Sequence, residues 1–142
     1  MSSKVVRDAL NQAMTTLAAP YPVFDLSDYV SLDEVLASIS SNSVLMQYVV
    51  AGDDMVDIGG EGNQGWEETG SVAVHIVTPT GFASGPVVTK GDEIRVGIRG
   101  RRLAGDVLVE SCTPFTDFGA GGVNGATHTW VANLFYSRRV CG

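Results

Sequence analysis

The sequence predicts a single α+β domain spanning residues 1–142. Three observations carry this. Apolar residues recur at helical spacing over residues 3–17, they alternate over 71–77, and a long strand-forming run fills 127–140. A chain of 142 residues is long enough to bury one real core and short for two. With 44% hydrophobic and 18% charged residues it has the composition of a folded globular chain, not of a disordered or membrane-spanning one.

The first element is the clearest. Val6, Leu10, Ala13, Met14 and Leu17 form one apolar face, with Asp8, Asn11, Gln12 and Thr15 opposite. Ser3 is placed to cap this helix, and Pro20 with Pro22 ends it. Ser31 and Glu34 have capping-box spacing ahead of Val35, Leu36 and Ile39, which predicts a short helix over about 32–40. Residues 44–50 read as a buried strand, Gly52-Asp53-Asp54 as a turn, and Met55 to Ile58 as a returning strand. Residues 59–65 form a polar, glycine-rich loop, expected to be mobile. Trp66 to Pro79 is a strong strand.

Segment 86–103 is readable in two ways. Residues 93–99 alternate like a strand, while Val87, Gly91, Ile94 and Ile98 fit a helical face. The helical reading gives Thr89 and Asp92 a capping box and lines up Arg95, Arg99 and Arg102 as a basic stripe. Gly97 and Gly100 argue against it, at roughly 1 kcal/mol per glycine. Pattern alone leaves both open. Residues 106–112 read as a strand, 114–125 as a glycine-rich loop, and 127–140 as a long closing strand. In that last strand Trp130, Ala132, Leu134 and Tyr136 share one face, and Val131 and Phe135 the other. The first face can cover the core; the second needs a helix or a partner subunit.

Charge is distributed unevenly. Between Arg7 and Lys90 there is no lysine or arginine, yet eleven of the sixteen carboxylates lie there. The seven remaining basic residues all fall between Lys90 and Arg139. Such a chain can pair with its own copies head to tail, acidic patch on basic patch, the type of contact that closes into rings. The alternative is that the acids only solubilise the surface. A net charge of −7 disfavours non-specific binding to nucleic acid. No apolar run reaches the roughly 20 residues of a membrane span, and the polar residues of the first helix interrupt any signal peptide. The expected compartment is therefore the cytoplasm. Cys112 and Cys141 lack metal or CxxC spacing and are expected to be free thiols.

Catalytic and cofactor signatures are weak. Residues 60–65 spell GxGxxG, but a strand follows instead of a helix, and Glu61, Glu67 and Glu68 would repel a pyrophosphate. Asp53, Asp54, Asp57 and Glu61 miss the spacing of a calcium loop, so a solvated acidic turn is expected and no metal. Glu67 and Glu68 point to opposite faces of a strand, which is wrong for paired acid–base work. His75 and His128 both sit in predicted strands, where a satisfied sheet histidine is the simpler reading. No nucleophile motif accompanies them, so no enzyme activity and no cofactor are expected. Arg101-Arg102 and Arg138-Arg139 could grip phosphate, but carboxylates of a neighbouring subunit are the expected partners.

Three stretches carry a resemblance. They are the strand Trp66 to Pro79 running into Thr80-Gly81, the segment Asp92 to Leu103 ending in Gly-Arg-Arg-Leu-Ala-Gly, and Val109-Glu-Ser-Cys-Thr-Pro-Phe-Thr-Asp-Phe118 ahead of Trp130…Tyr136-Ser-Arg. Together they resemble bacteriophage tail-terminator (tail-completion) proteins. The resemblance implies helices packed on an antiparallel (mixed) sheet, with 86–103 as the second main helix. It also implies a virion protein forming a hexameric ring on the head-proximal end of the tail, halting tube polymerisation and offering a surface to the head connector. Its partners would be itself, the tail tube protein and the head–tail connector, with DNA passing through the lumen. The rival readings are a head–tail connector subunit and a small α+β enzyme or ligand-binding domain. Arg99, Arg101 and Arg102 are expected at the subunit seam against Asp53, Asp54 and Asp57 of a neighbour, with Val131, Phe135 and Arg138 as further contact residues.

Overall fold

Helix α1 (Lys4–Ala18) buries Val6, Ala9, Leu10, Ala13, Met14 and Ala18, the face its periodicity predicts. The structure, a computed structural model, describes residues 3–28, 35, 39–57, 65–79, 85–121 and 127–141. Side chains are described for all of these except 50, 53–57, 65, 120–121 and 140–141. Ser3 occupies the N-cap position, but its hydroxyl makes no capping bond; its backbone N–H donates to Glu68 instead, at 3.2 Å. At the other end Lys90 Nζ donates to the free Ala19 carbonyl at 2.8 Å.

Among the described residues seven strands form one mixed sheet: β1 (Val23–Asp25), β2 (Ser43–Asp57), β3 (Gly65–Pro79), β4 (Arg102–Leu103), β5 (Val107–Cys112), β6 (Thr116–Gly121) and β7 (Thr127–Cys141). Their spatial order is β1-β2-β3-β7-β5-β4, and β6 also pairs with β7. Among the described strands only β1 on β2 is parallel. Among the described residues two α-helices of more than three turns lie on the sheet, so the fold is α+β, as expected. Even-numbered residues of the central strands (Val44, Met46, Val72, Val74, Ile76, Ala132, Leu134, Tyr136) meet α1 and the second helix, α2 (Gly85–Ile98), in the main core. A smaller cluster of Val35, Leu45 and Val77 covers one corner of the opposite face.

Segment 86–103 resolves as helix over Gly85–Ile98, with Val87, Gly91, Ile94 and Ile98 buried. The glycines that weigh against a helix are its contact points. A Cβ at Gly97 would stand 2.7 Å from Leu17 Cδ2, and one at Gly91 3.1 Å from the Phe115 ring. Small side chains let α1, α2 and the 113–115 segment approach each other, and that packing outweighs the propensity cost.

Several expectations are corrected. The Gly52-Asp54 turn is absent: β2 runs on to Asp57, paired with β3 through Ala51–Gly70, Gly52–Thr69, Asp53–Glu68 and Asp54–Glu67. A fifteen-residue partner strand keeps the ladder going, and bulges near Tyr48 and Met55 absorb its twist. Thr89 is not a cap, because the helix starts four residues earlier and its hydroxyl returns to the Gly85 carbonyl at 3.2 Å. Arg102 leaves the proposed helical stripe and lies in β4. Residues 116–121 of the predicted loop are strand β6, which uses the edge of β7 left free beyond β5. The predicted loop 59–65 lies outside the described residues except for Gly65, and the predicted helix over 32–40 is described at Val35, which is helical and buried, and at Ile39 and Ser40, which are not helical.

Candidate functional site

Register brings the charged residues of distant segments into line. At one end of the sheet Asp53 of β2 stands opposite Glu68 of β3, which stands opposite Arg138 of β7. Arg138 in turn stands opposite Val107 of β5, and Val107 opposite Leu103 of β4. The adjoining pairs are Asp54–Glu67 and Glu67–Arg139. So β3 has arginines on one flank and aspartates on the other. Like charges directly opposite in a ladder destabilise it, which leaves the negative excess on β2, the strand nearer the sheet edge. β1 pairs with β2 only from Val44 to Met46.

The basic counterpart is at the other edge. Arg99 and Arg101 sit in the turn after α2, and Arg102 opens β4; all three are exposed. Backbone bonds hold that turn: Gly100 N–H to the Val109 carbonyl at 2.8 Å, Val109 N–H to the Arg101 carbonyl at 2.9 Å, and Arg101 N–H to the Ile98 carbonyl at 3.3 Å. Between this turn and α1 runs a shallow groove of about 240 Å³, floored by Ala9, Gln12, Ala13 and Thr16 and rimmed by Arg101 and Arg102. Arg138 is placed differently. It is half-buried, and its Nε donates to the Gly105 carbonyl at 2.9 Å, which ties β7 to the β4–β5 turn.

The sheet face away from the helices is uncharged through its middle. One row there is Leu45–His75–Val131 and the next Gln47–Ala73–Asn133. Beyond them Phe135 is 42% exposed and Val49, at the β2 bulge, 56%. Val131 and Phe135 thus lie on the outward face, as their odd positions predict. His75 bonds Gln47 at 2.9 Å, and burial lowers its pKa, so it is neutral at pH 7 and adds no charge to the face.

Two polar networks were not legible as such. Asp25 accepts from Arg7 Nη2 at 3.0 Å, Asn11 Nδ2 at 2.9 Å and the Ser27 N–H at 2.9 Å, and also from the Ser27 hydroxyl. The Tyr48 hydroxyl donates to Asn11 Oδ1 at 2.7 Å. Glu68, read in sequence as part of an acidic surface, is only 6% exposed and points under α1. Both tie α1 to the sheet.

Chemistry elsewhere is sparse. His128 bonds Asp117 at 2.6 Å and packs on Trp130 at 4.3 Å between ring centres. Among the described residues no three His, Cys, Asp or Glu side chains gather to hold a metal ion. No described helix is long and apolar enough to cross a membrane.

No protein-family model matches the chain, and no curated protein does. A solved protein that carries only a sequence identifier as its name matches it with a TM-score of 0.60 at 19% identity, over 96% of this chain and 95% of that one. This is a shared fold. A chain from the virion of a native gene transfer agent (GTA) particle covers 99% of this chain and 100% of its own at 15% identity, with a TM-score of 0.44, too loose a likeness to carry an argument.

Proposed function

We propose that the chain is a structural virion protein, a tail terminator whose copies close into a ring at the head-proximal end of a phage tail. The observation that carries this reading is the separation of charge along one end of the sheet. Aspartates mark the β2 side and Arg102 the β4 side, so a copy rotated about a ring axis presents base to its neighbour's acid. What points to a tail terminator among ring proteins is the resemblance in residues 66–81, 92–105, 109–118 and 130–138. It implied a helix where pattern alone was undecided, and residues 85–98 are helical.

Ring closure by the two sheet edges leaves the uncharged outward face available. In this reading that face, with Val49, Val131 and Phe135, meets the tail tube protein or the head–tail connector. The excess acid gives the lumen a negative lining along which DNA slides without sticking. Native mass spectrometry of the protein alone and mixed with purified tail tubes tests the proposal. A closed oligomer in either sample, seated on tube ends in electron micrographs, is the expected result. A monomer under both conditions, or an oligomer that ignores tube ends and binds head connectors alone, overturns it.

A further inference from the structure

We infer that the groove between α1 and residues 101–104 is the acceptor for the acidic β2–β3 edge of a second copy of this chain. The inference rests on the ring reading and adds the residues that fix its register. At about 240 Å³ the groove is smaller than the roughly 300–1,000 Å³ of small-molecule sites, so it admits one or two side chains, not a cofactor. Its floor is low because Ala9 and Ala13 carry only methyl groups, and both are nearly buried. Backbone can therefore approach α1 closely there. Gln12 and Thr16 supply polar groups beside it.

The rim selects the occupant. Arg101 and Arg102 stand on a turn held by three backbone hydrogen bonds, so their guanidinium groups start from a fixed platform. Among the described residues neither has a carboxylate within ion-pair distance. Backbone register sets Asp53 and Asp54 opposite Glu68 and Glu67, so acid gathers on that side of the sheet. The two groups cannot serve each other within one copy. Four strand spacings separate β2 from β4, on the order of 19 Å. Two copies in head-to-tail order bring the acid of one to the arginines of the next. Phosphate is the competing ligand for such arginines, but the chain's net charge of −7 opposes a polyanion.

Charge exchange in a Cys141→Ser background tests this. Arg102→Glu should raise the concentration for half-assembly at least tenfold by native mass spectrometry, Arg102→Lys should recover most of it, and adding Asp54→Arg to Arg102→Glu should recover several-fold. Thr16→Cys and Asp54→Cys copies, mixed, should form an intermolecular cross-link that neither forms alone. Unchanged thermal unfolding of each variant guards against misfolding. An assembly that is indifferent to Arg102→Glu, or that forms no Thr16–Asp54 cross-link, overturns the groove assignment while leaving the ring intact. A wild-type chain that never assembles overturns the ring reading and this one together. If Arg102→Glu abolishes retention of double-stranded DNA and spares assembly, the groove is a nucleic-acid site and the inference is wrong.

Discussion

Tyr136 and Glu68 meet in the core, where the Tyr136 hydroxyl donates to a Glu68 carboxylate oxygen at 3.1 Å. The same oxygen accepts the Ser3 N–H at 3.2 Å, at the start of α1. The first turn of α1 contains no acidic residue, so its exposed N–H groups and positive dipole end are served by a carboxylate from β3, sixty-five residues away. A buried carboxylate is costly unless bonded, and here the bonds join both layers of the fold.

Removing that carboxylate should therefore loosen α1 from the sheet. Glu68→Ala is expected to cost about 1–3 kcal/mol in urea unfolding, since it removes the oxygen that accepts from both the Tyr136 hydroxyl and the Ser3 N–H. Glu68→Gln should cost less, because an amide oxygen still accepts. A double-mutant cycle with Tyr136→Phe should show coupling of about 0.5 kcal/mol or more. Strict additivity would mean that the 3.1 Å contact contributes nothing to stability.

Asp25 gives the fold a pH dependence of known sign. Burial pushes its carboxyl up, but the bonds from Ser27, Asn11 and Arg7 together outweigh that and hold it below the ordinary value. A depressed folded pKa contributes stability above the unfolded carboxyl range, about 3.9, and that contribution is lost as pH falls through the folded value. Asp25→Asn should thus lower stability at pH 7 and shrink the drop in stability on acidification below about pH 4. Parallel wild-type and variant curves of unfolding free energy against pH would remove Asp25 from the acid transition.

Those two networks mark the boundary of what the sequence made legible. α1 and β3 were readable because each repeats a single period, 3.6 or 2, over more than one turn or pleat. The outward position of Val131 and Phe135 followed from the same alternation. Segment 86–103 was not, because its glycines mean opposite things in isolation and in contact: Gly97 weakens a lone helix but admits Leu17. The continuation of β2 through Gly52 depends on the length of its partner strand, which no local signal encodes. Glu68 under α1, and Arg138 on the Gly105 carbonyl, depend on pairings across 65 and 33 residues. The charge asymmetry was visible at once, but its placement on two edges of one sheet needed the register.

Cys112 should be chemically silent in the native chain. Burial pushes its thiol up to about 11, offset in part by Arg95, whose Nε donates to the Cys112 carbonyl at 2.9 Å. The thiolate is the nucleophile, so at pH 8 the reactive fraction is roughly a thousandth. In a Cys141→Ser background, iodoacetamide should label Cys112 only at the rate at which the protein unfolds, and promptly in urea. Rapid native labelling at pH 8 would show that β5 opens far more readily than its burial implies.

Phe135 separates folding from assembly. It is 42% exposed on the uncharged face, so Phe135→Asp gives up only the buried part of the ring, and the unfolding free energy should fall by about 1–2 kcal/mol, a loss that leaves the chain folded. Partner binding should respond very differently. An aspartate in the middle of an apolar contact is desolvated without a counter-ion, which costs several kcal/mol when the contact closes. In the proposed arrangement the subunit seam lies at the β2 and β4 edges, so Phe135→Asp should leave the ring intact by native mass spectrometry and abolish its attachment to tail tubes. Val49→Asp, 56% exposed on the same face, should behave alike. Should either substitution break the ring itself, the outward face is part of the subunit seam, and the tube or connector must dock elsewhere.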